Sequence, residues 1–217
     1  MANLAAAFAE LGRNDEARAM AAEGRRLAEA GWGPENPETV QILESCGGTL
    51  DRIGDLDASR DAWNQALKLR RKADDGNVAG IAFCAERVAD LLRRGDRLAE
   101  AARLFAEADS LRARSGTTGA PAATEAQANR ALLLFQHGDR SSAFEAGLSA
   151  EQRAREHFRT TAQAMPEREA LLFSAARVTS RDLLLTLLED RPGGAEVRRT
   201  WESVMASRAL VLDEMAI

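Results

Sequence analysis

Small side chains recur along the chain at intervals of 42 residues, among larger apolar residues at helical spacing. One set precedes a turn and a second set follows it: Ala5, Gly47, Ala89 and Ala131, then Ala17, Ser59, Ala101 and Ala143. Two helices that are joined by a tight turn approach closely only where their side chains are small. The pattern therefore predicts antiparallel helix pairs that cross at these residues and stack on one another, because one pair cannot bury its apolar stripe alone.

A glycine-centred turn separates the two helices of each predicted pair. The turns contain Gly12, Gly54, Gly95 and Gly138, spaced by 42, 41 and 43 residues. We expect the glycine to end the first helix and the Asp or Asn that follows to cap the second. The predicted pairs cover about residues 2–11 with 14–30, 37–53 with 56–73, 77–94 with 97–114, and 122–137 with 140–160.

The repeat resembles the tetratricopeptide repeat (TPR), whose usual unit has about 34 residues, in the longer form of kinesin light chains. The segment Gly31-Trp32-Gly33-Pro34-Glu35-Asn36-Pro37 is similar to the Gly-Pro-x-x-Pro-like connection of such repeats. The resemblance covers about residues 1–157. It implies an all-α fold, a right-handed α-solenoid of antiparallel helix pairs (a TPR-like superhelix), that acts as a non-enzymatic scaffold for a protein or peptide partner.

In TPR arrays the first helices line a concave groove, and the family register implies which residues face it here. They are Gln41, Glu44, Asp51, Arg52, Phe83, Glu86, Asp90, Arg93, Arg94, Glu125, Leu132, Phe135 and Gln136. Phe83 and Phe135 are candidate aromatic anchors among charges, a composition suited to an extended or helical peptide. Alternatively, the charges only solvate this face and the two Phe pack between pairs. The Lys/Asn clamp of some TPR proteins is not matched.

The 42-residue interval is lost after Pro166. We expect residues 161–217 to form two longer helices, about 167–189 and 195–216, which cap the array or link it to a further domain. The segments Arg181–Leu185, Trp201-Glu202 and Ser207–Ala216 resemble the helical linker between TPR arrays and CHAT domains, the caspase-like cysteine peptidase domains of bacterial proteins. This resemblance implies that the chain is the sensor or adaptor part of a larger protein with a downstream peptidase domain.

Composition narrows the function further. The 217 residues include 45% hydrophobic ones, so the chain can bury a core, and the net charge is −5. An acidic chain is poorly suited to nucleic acid, although RNA binding by an Arg-rich solenoid remains an alternative. The absence of a signal-peptide pattern and of a run of about 20 apolar residues favours a cytoplasmic protein without a membrane span.

Cys46 and Cys84 are the only thiols. A thiol hydrolase would use one of them with His137 or His157. We expect instead two small buried side chains, because neither Cys has the setting that activates a thiolate. No His or Cys spacing is typical of a metal site, and no glycine-rich phosphate loop is present, so the sequence predicts neither a metal nor a cofactor.

Overall fold

The computed structural model describes residues 1–33, 35–73, 76–117, 121–162, 180–188 and 193–214. In these ranges all regular secondary structure is helical. The helices are α1 (Ala2–Glu10), α2 (Asn14–Trp32), α3 (Pro37–Arg52), α4 (Leu56–Ala73), α5 (Val78–Arg94), α6 (Leu98–Ser115), α7 (Pro121–Gln136), α8 (Arg140–Ala162), α9 (Ser180–Leu188) and α10 (Gly194–Glu214). The predicted ends of the first eight helices agree with these bounds to within two residues.

Residues 1–115 form the first of two compact units. Each helix from α1 to α5 packs against the next along the chain, and α1 also packs against α3. Asn36 caps α3 through a hydrogen bond from the Glu38 amide at 2.9 Å, and Pro37 occupies the first turn of that helix, where its missing N–H is not needed. Three stacked helix pairs therefore make up this unit.

The predicted crossing residues are buried at the positions that the repeat requires. Ala17, Ser59, Ala101 and Ala143 are each 0% exposed, as are Ala5, Ala89 and Ala131. Ser59 is the polar member of this set, and its hydroxyl donates a hydrogen bond of 2.8 Å to the carbonyl oxygen of Gly47. The hydroxyl is thus satisfied inside the crossing, and Ser59 takes the place of Ala without an unpaired polar atom.

The left-handed residues of the four turns are spaced by 42 residues throughout, whereas the glycines of the turns are not. Gly12, Gly54 and Gly138 adopt φ of 71°, 79° and 84°, a left-handed conformation that suits glycine. In the third turn Gly95 has φ of −90°, and Asp96 takes the left-handed position with φ of 60°. Gly95 therefore ends its helix as expected, but the left-handed residue of this turn is Asp96 rather than the glycine.

The second helices begin in two different ways. Asp139 Oδ1 accepts a hydrogen bond of 3.1 Å from the Ser142 amide, and Asp55 makes the corresponding contact at 3.4 Å. At the equivalent position Arg97 instead donates to Glu100 at 2.8 Å, three residues further on. Arg13 pairs with Glu16 in the same way. The predicted Asp or Asn cap is confirmed in the second and fourth pairs, whereas the corresponding residue in the first and third pairs is an Arg that forms an ion pair with a Glu of the first turn.

Residues 116–217 form the second unit. Helix α8 packs against α7, α9 and α10. Gly147 on α8 makes room for α9, because a Cβ atom at Gly147 would lie 3.0 Å from Cδ2 of Leu184. Most of the predicted helix over 167–189 lies outside the described residues. The sequence predicted a division of the chain near residue 160, between the four repeats and the two C-terminal helices. That division is of a different kind from these compact units, and it stays a prediction.

The last helix leaves two of its large apolar side chains exposed. Val204 is 5% exposed and lies with the buried Thr200 and Ser203, whereas Trp201 and Met205 are 55% and 63% exposed. The buried side of α10 is therefore partly polar.

We predict opposite effects for alanine at two adjacent glycines of α3. A Cβ atom at Gly47 would lie 2.6 Å from Nε1 of Trp63, whereas a Cβ at Gly48 would meet nothing within 4 Å. Gly47→Ala should therefore cost about 1–3 kcal/mol of the free energy of unfolding through overpacking. Gly48→Ala should increase it by about 0.5–1 kcal/mol through helix propensity. Urea unfolding of both variants tests this, and equal shifts would contradict the packing of Trp63 on Gly47.

Candidate functional site

A cleft of about 480 Å³ opens between consecutive helix pairs of the first unit. Its lining residues come from α3, α4 and α5; they are Gln41, Glu44, Ser45, Gly48, Asp51, Arg52, Trp63, Phe83 and Arg87. The α3 members recur every three or four residues, so they lie along one side of that helix. Five residues that the sequence placed in a groove meet here: Gln41, Glu44, Asp51, Arg52 and Phe83.

Two aromatic rings form the apolar wall of the cleft. The rings of Trp63 and Phe83 meet edge to face, with centroids 5.5 Å apart and an interplanar angle of 82°. The guanidinium carbon of Arg87 lies 5.2 Å from the centroid of Phe83, which is a cation–π distance. Phe83 thus packs between helix pairs and also borders the cleft. Its role as an anchor for a partner stays a prediction.

The Glu44 carboxylate is held at the side of the cleft by the second helix of its own pair. Arg70 donates to it through Nε at 2.9 Å and Nη2 at 3.2 Å. Cys84 donates to the same carboxylate at 3.3 Å. Glu44 and Arg70 are 18% and 14% exposed, so this charge lines the cleft as part of a fixed ion pair.

A chain of ion pairs continues from the cleft along α5. Arg94 donates to Asp51 on α3 and lies 3.8 Å from Asp90 on its own helix. Arg93 pairs with Asp90 at 2.8 Å. Four of the predicted groove residues therefore form one network of alternating charge, and it ties α3 to α5 at the end of the cleft.

Glu86 does not lie on an accessible surface. Its side chain is 6% exposed and accepts two hydrogen bonds from Arg112 on α6, at 2.9 and 2.7 Å. Burial raises the pKa of the Glu86 carboxyl, and the hydrogen bonds from Arg112 oppose that shift. Its expected place in the groove is corrected, because the side chain turns towards the second helix of its own pair.

The remaining predicted groove residues, Glu125, Leu132, Phe135 and Gln136, lie on α7 in the second unit. Leu132 and Phe135 are partly buried against a core cluster of Ala131, Ala143, Phe144, Leu183, Leu184 and Leu187. Phe135 therefore packs against residues of its own helix pair and of α9, whereas the alternative interpretation expected it between two pairs. Its role as an anchor for a partner stays a prediction.

The two Glu–Arg pairs are a feature that sequence reasoning missed. Glu44–Arg70 and Glu86–Arg112 each span 26 residues and are related by the 42-residue interval. In the first and fourth pairs both positions are alanine: Ala2 with Ala28, and Ala128 with Ala154. Once the register is known, the sequence shows that the two positions change together, from Glu and Arg in the middle pairs to Ala and Ala in the outer pairs. Such a joint change predicts that the two positions are in contact.

The thiols have the buried settings that the sequence predicts. Cys46 is 2% exposed and donates to the carbonyl oxygen of Ala21 at 3.3 Å. Burial raises the pKa of Cys46 to about 11, and burial together with the neighbouring Glu44 carboxylate raises the pKa of Cys84. Both shifts disfavour the nucleophilic thiolate. His137 and His157 lie on the exposed turn after α7 and within α8, in the other unit.

Within the described ranges, no group of three or more His, Cys, Asp or Glu side chains is placed to hold a metal ion. Across that same part of the chain, no helix combines the length and the hydropathy that crossing a bilayer requires.

Residues 1–72 match the family described as tetratricopeptide repeat. The matched segment covers the first pair and the second pair up to Lys72, and therefore includes every α3 and α4 residue that lines the cleft. No curated protein matches the chain in sequence.

The TPR-like fold extends beyond this segment. The chain is similar to a crystal structure of the nearly identical TPR-like repeats of a putative kinesin light chain from Podosopora anserina, with a TM-score of 0.68 and 15% identity over 96% of this chain and 93% of that chain. A crystal structure of a single-residue variant of those repeats is similar too, with a TM-score of 0.68 and 14% sequence identity. This match covers 100% of this chain and 95% of that chain. The all-α fold of TPR-like helix pairs is confirmed.

We predict that the Glu86–Arg112 pair is strongly coupled. Arg112→Ala leaves a buried carboxylate without its partner and should cost about 3–5 kcal/mol of the free energy of unfolding. The double variant Glu86→Ala with Arg112→Ala removes both charges, so its free energy of unfolding should fall clearly less than that of Arg112→Ala. Thermal and urea unfolding measure the cycle, with the exposed Arg97–Glu100 pair as a control of small effect. Losses that simply add would contradict the coupling.

We also predict that both native thiols resist alkylation. Since their pKa values are raised by burial, reaction with iodoacetamide near neutral pH should be far slower in the folded than in the urea-unfolded protein. Single Cys46→Ala and Cys84→Ala variants assign each rate to one thiol. A thiol that reacts equally fast in both states would support the hydrolase alternative.

Proposed function

We propose that this chain is a protein–protein interaction module whose first unit holds a segment of a partner protein in the cleft between α3 and α5. The cleft carries this proposal, because it joins an aromatic wall to polar and charged side chains within a TPR-like fold. A volume of about 480 Å³ lies within the range of pockets for small ligands and suits a few side chains of a peptide.

The lining residues suggest how the peptide would be held. Phe83 offers an apolar surface, and an aromatic or aliphatic side chain of the peptide would pack against it. Gln41 and Ser45 stand one turn apart on α3 and can exchange hydrogen bonds with a peptide backbone. Gly48 leaves open space beside them. Because Glu44 and Asp51 already hold arginines, the peptide would add to existing ion pairs rather than neutralise isolated charges.

We propose further that the module belongs to a CHAT-type protein of the bacterial cytoplasm and serves its peptidase domain as sensor or adaptor. The resemblance of Arg181–Leu185 and Trp201-Glu202 to the TPR–CHAT linker supports this. In the described part of that region these residues lie on α9 and α10, which pack on each other. The module itself would contribute binding, with no catalytic residue of its own.

Filling the cleft tests the peptide site. Peptides selected from a displayed random library against the wild type would be measured by fluorescence polarisation against Gly48→Gln. Because nothing lies within 4 Å of a Cβ at Gly48, the new side chain should enter the cleft and weaken binding at least tenfold without loss of thermal stability. Gly31→Gln on α2 is the matched control, since Gly31 is also helical, exposed and free of neighbours.

The control variant should bind like the wild type. Equal affinity of the wild type and Gly48→Gln would place the peptide elsewhere. A library that yields no peptide specific for the first unit would count against the proposed function.

A further inference from the structure

A further cleft, of about 260 Å³, lies between α8 and α10 in the second unit. Its lining residues come from these two helices; they are Leu148, Gln152, Arg155, Arg199, Glu202 and Ser203. The two helices pack against each other, so both walls of the cleft are fixed within one unit. The volume is just below the range that is usual for drug-sized ligands, and it suits a smaller molecule.

The 42-residue interval shows how the second helices of successive pairs are bridged in the first unit. Glu29 on α2 accepts a hydrogen bond from Gln65 on α4 at 3.2 Å. One interval later, Arg71 on α4 donates to both carboxylate oxygens of Glu107 on α6, at 2.7 and 2.9 Å. A polar side-chain bridge to the next second helix therefore recurs at one position of the repeat.

Arg155 occupies this position on α8, because it follows Arg71 by two intervals of 42 residues. It reaches α10, where its Nη1 donates to the carbonyl oxygen of Ser203 at 3.2 Å. Within the described ranges, no carboxylate lies within ion-pair distance of this half-buried guanidinium. Arg71 meets the carboxylate of Glu107, whereas Arg155 borders an open cleft.

The most buried lining residue carries an unpaired hydroxyl. Ser203 is 6% exposed, and its Oγ has no hydrogen-bond partner in the part of the chain that the structure describes. A buried hydroxyl without a partner is unfavourable, so a ligand atom that accepts a hydrogen bond from Ser203 removes that cost. On the facing helix, Gln152 adds an exposed amide and Leu148 a half-buried apolar side chain.

The charges of the lining residues favour a ligand with one negative charge. Arg199 already donates two hydrogen bonds to Glu145, and Glu202 is exposed. Arg155 therefore supplies the uncommitted positive charge of the cleft. A carboxylate carries one negative charge and two oxygens in a plane, which a guanidinium binds through two parallel hydrogen bonds. The more highly charged phosphate would meet Glu202 without a second uncommitted arginine among the lining residues.

We propose that the cleft between α8 and α10 binds the carboxylate of a small molecule with a short aliphatic chain. The carboxylate accepts hydrogen bonds from Arg155 and from the hydroxyl of Ser203, and the aliphatic chain packs on Leu148. The ligand thereby completes between α8 and α10 the bridge that Glu107 makes between α4 and α6. This site is independent of the peptide cleft in the first unit.

NMR titration of the full chain with butyrate, in a buffer of low salt and low chloride, tests the ligand class. Backbone amide signals of α8 and α10 should shift and saturate with butyrate. Uncharged butyramide and inorganic phosphate should leave them unchanged, and saturable shifts with butyramide, or phosphate that binds as tightly as butyrate, would overturn the assignment. N-acetylleucine, which mimics a peptide chain end, should bind no more tightly than butyrate. Tighter binding would overturn the small molecule in favour of a peptide terminus.

Three variants locate the site. Arg155→Gln should weaken butyrate binding about tenfold or more, because it removes the charge and its paired donors. Arg198→Gln is the matched control, since it removes an exposed charge of α10 that does not line the cleft, and it should bind like the wild type. Ser203→Ala should weaken binding without lowering the thermal midpoint, because its hydroxyl has no partner to lose within the described residues.

The variants also give the results that would overturn the proposal. Equal affinity of the wild type and Arg155→Gln would do so, as would butyrate shifts that rise linearly without saturation. Ser203→Ala keeps the test valid if Arg155→Gln loses stability, and an unchanged affinity in a stable Ser203→Ala variant would contradict the proposed hydrogen bond.

Discussion

Each helix pair is held together where two small side chains allow two helices to cross in close contact. The crossing positions are fully buried in all four pairs, although the residues around them differ widely. A methyl group is the largest apolar substituent at these crossings, and Ser59 fits because the Gly47 carbonyl accepts its hydroxyl. The remaining packing, including the cleft between α3 and α5, is arranged around these fixed contacts.

Substitutions within this frame come in matched sets. Trp63 occupies a position where the other pairs have Ala, Phe or Gly, and its indole fits only because its neighbour is Gly47 rather than Ala. The Glu–Arg pairs of the middle repeats replace two alanines of the outer ones. In each case a change in size or charge at one position is compensated by the residue that contacts it. The 42-residue spacing of the helices is therefore unchanged.

The repeat predicted the helices and the crossings from sequence because both depend on a spacing that the chain displays four times. Asp96 was missed because an adjacent glycine suggested the ordinary turn, whereas the interval itself selects Asp96. Glu86 was misplaced because the register shows on which face of the helix a residue lies, but not which partner its side chain binds. Here that partner is Arg112, which holds the carboxylate in the interior. The packing of Phe135 depends on α9, whose residues have no counterpart in the other repeats, so no internal comparison could indicate it.

The contact of Gly47 with Trp63 and the ion pairs Glu44–Arg70 and Glu86–Arg112 each join the two helices of one pair. A genetic duplication or deletion whose ends fall in the connectors between pairs would add or remove both residues of each such contact together. An exchange that joined the first helix of one pair to the second helix of another would separate Glu from Arg or place Trp63 against Ala. The helix pair, rather than the single helix, is therefore the unit by which such an array can grow or shorten during evolution.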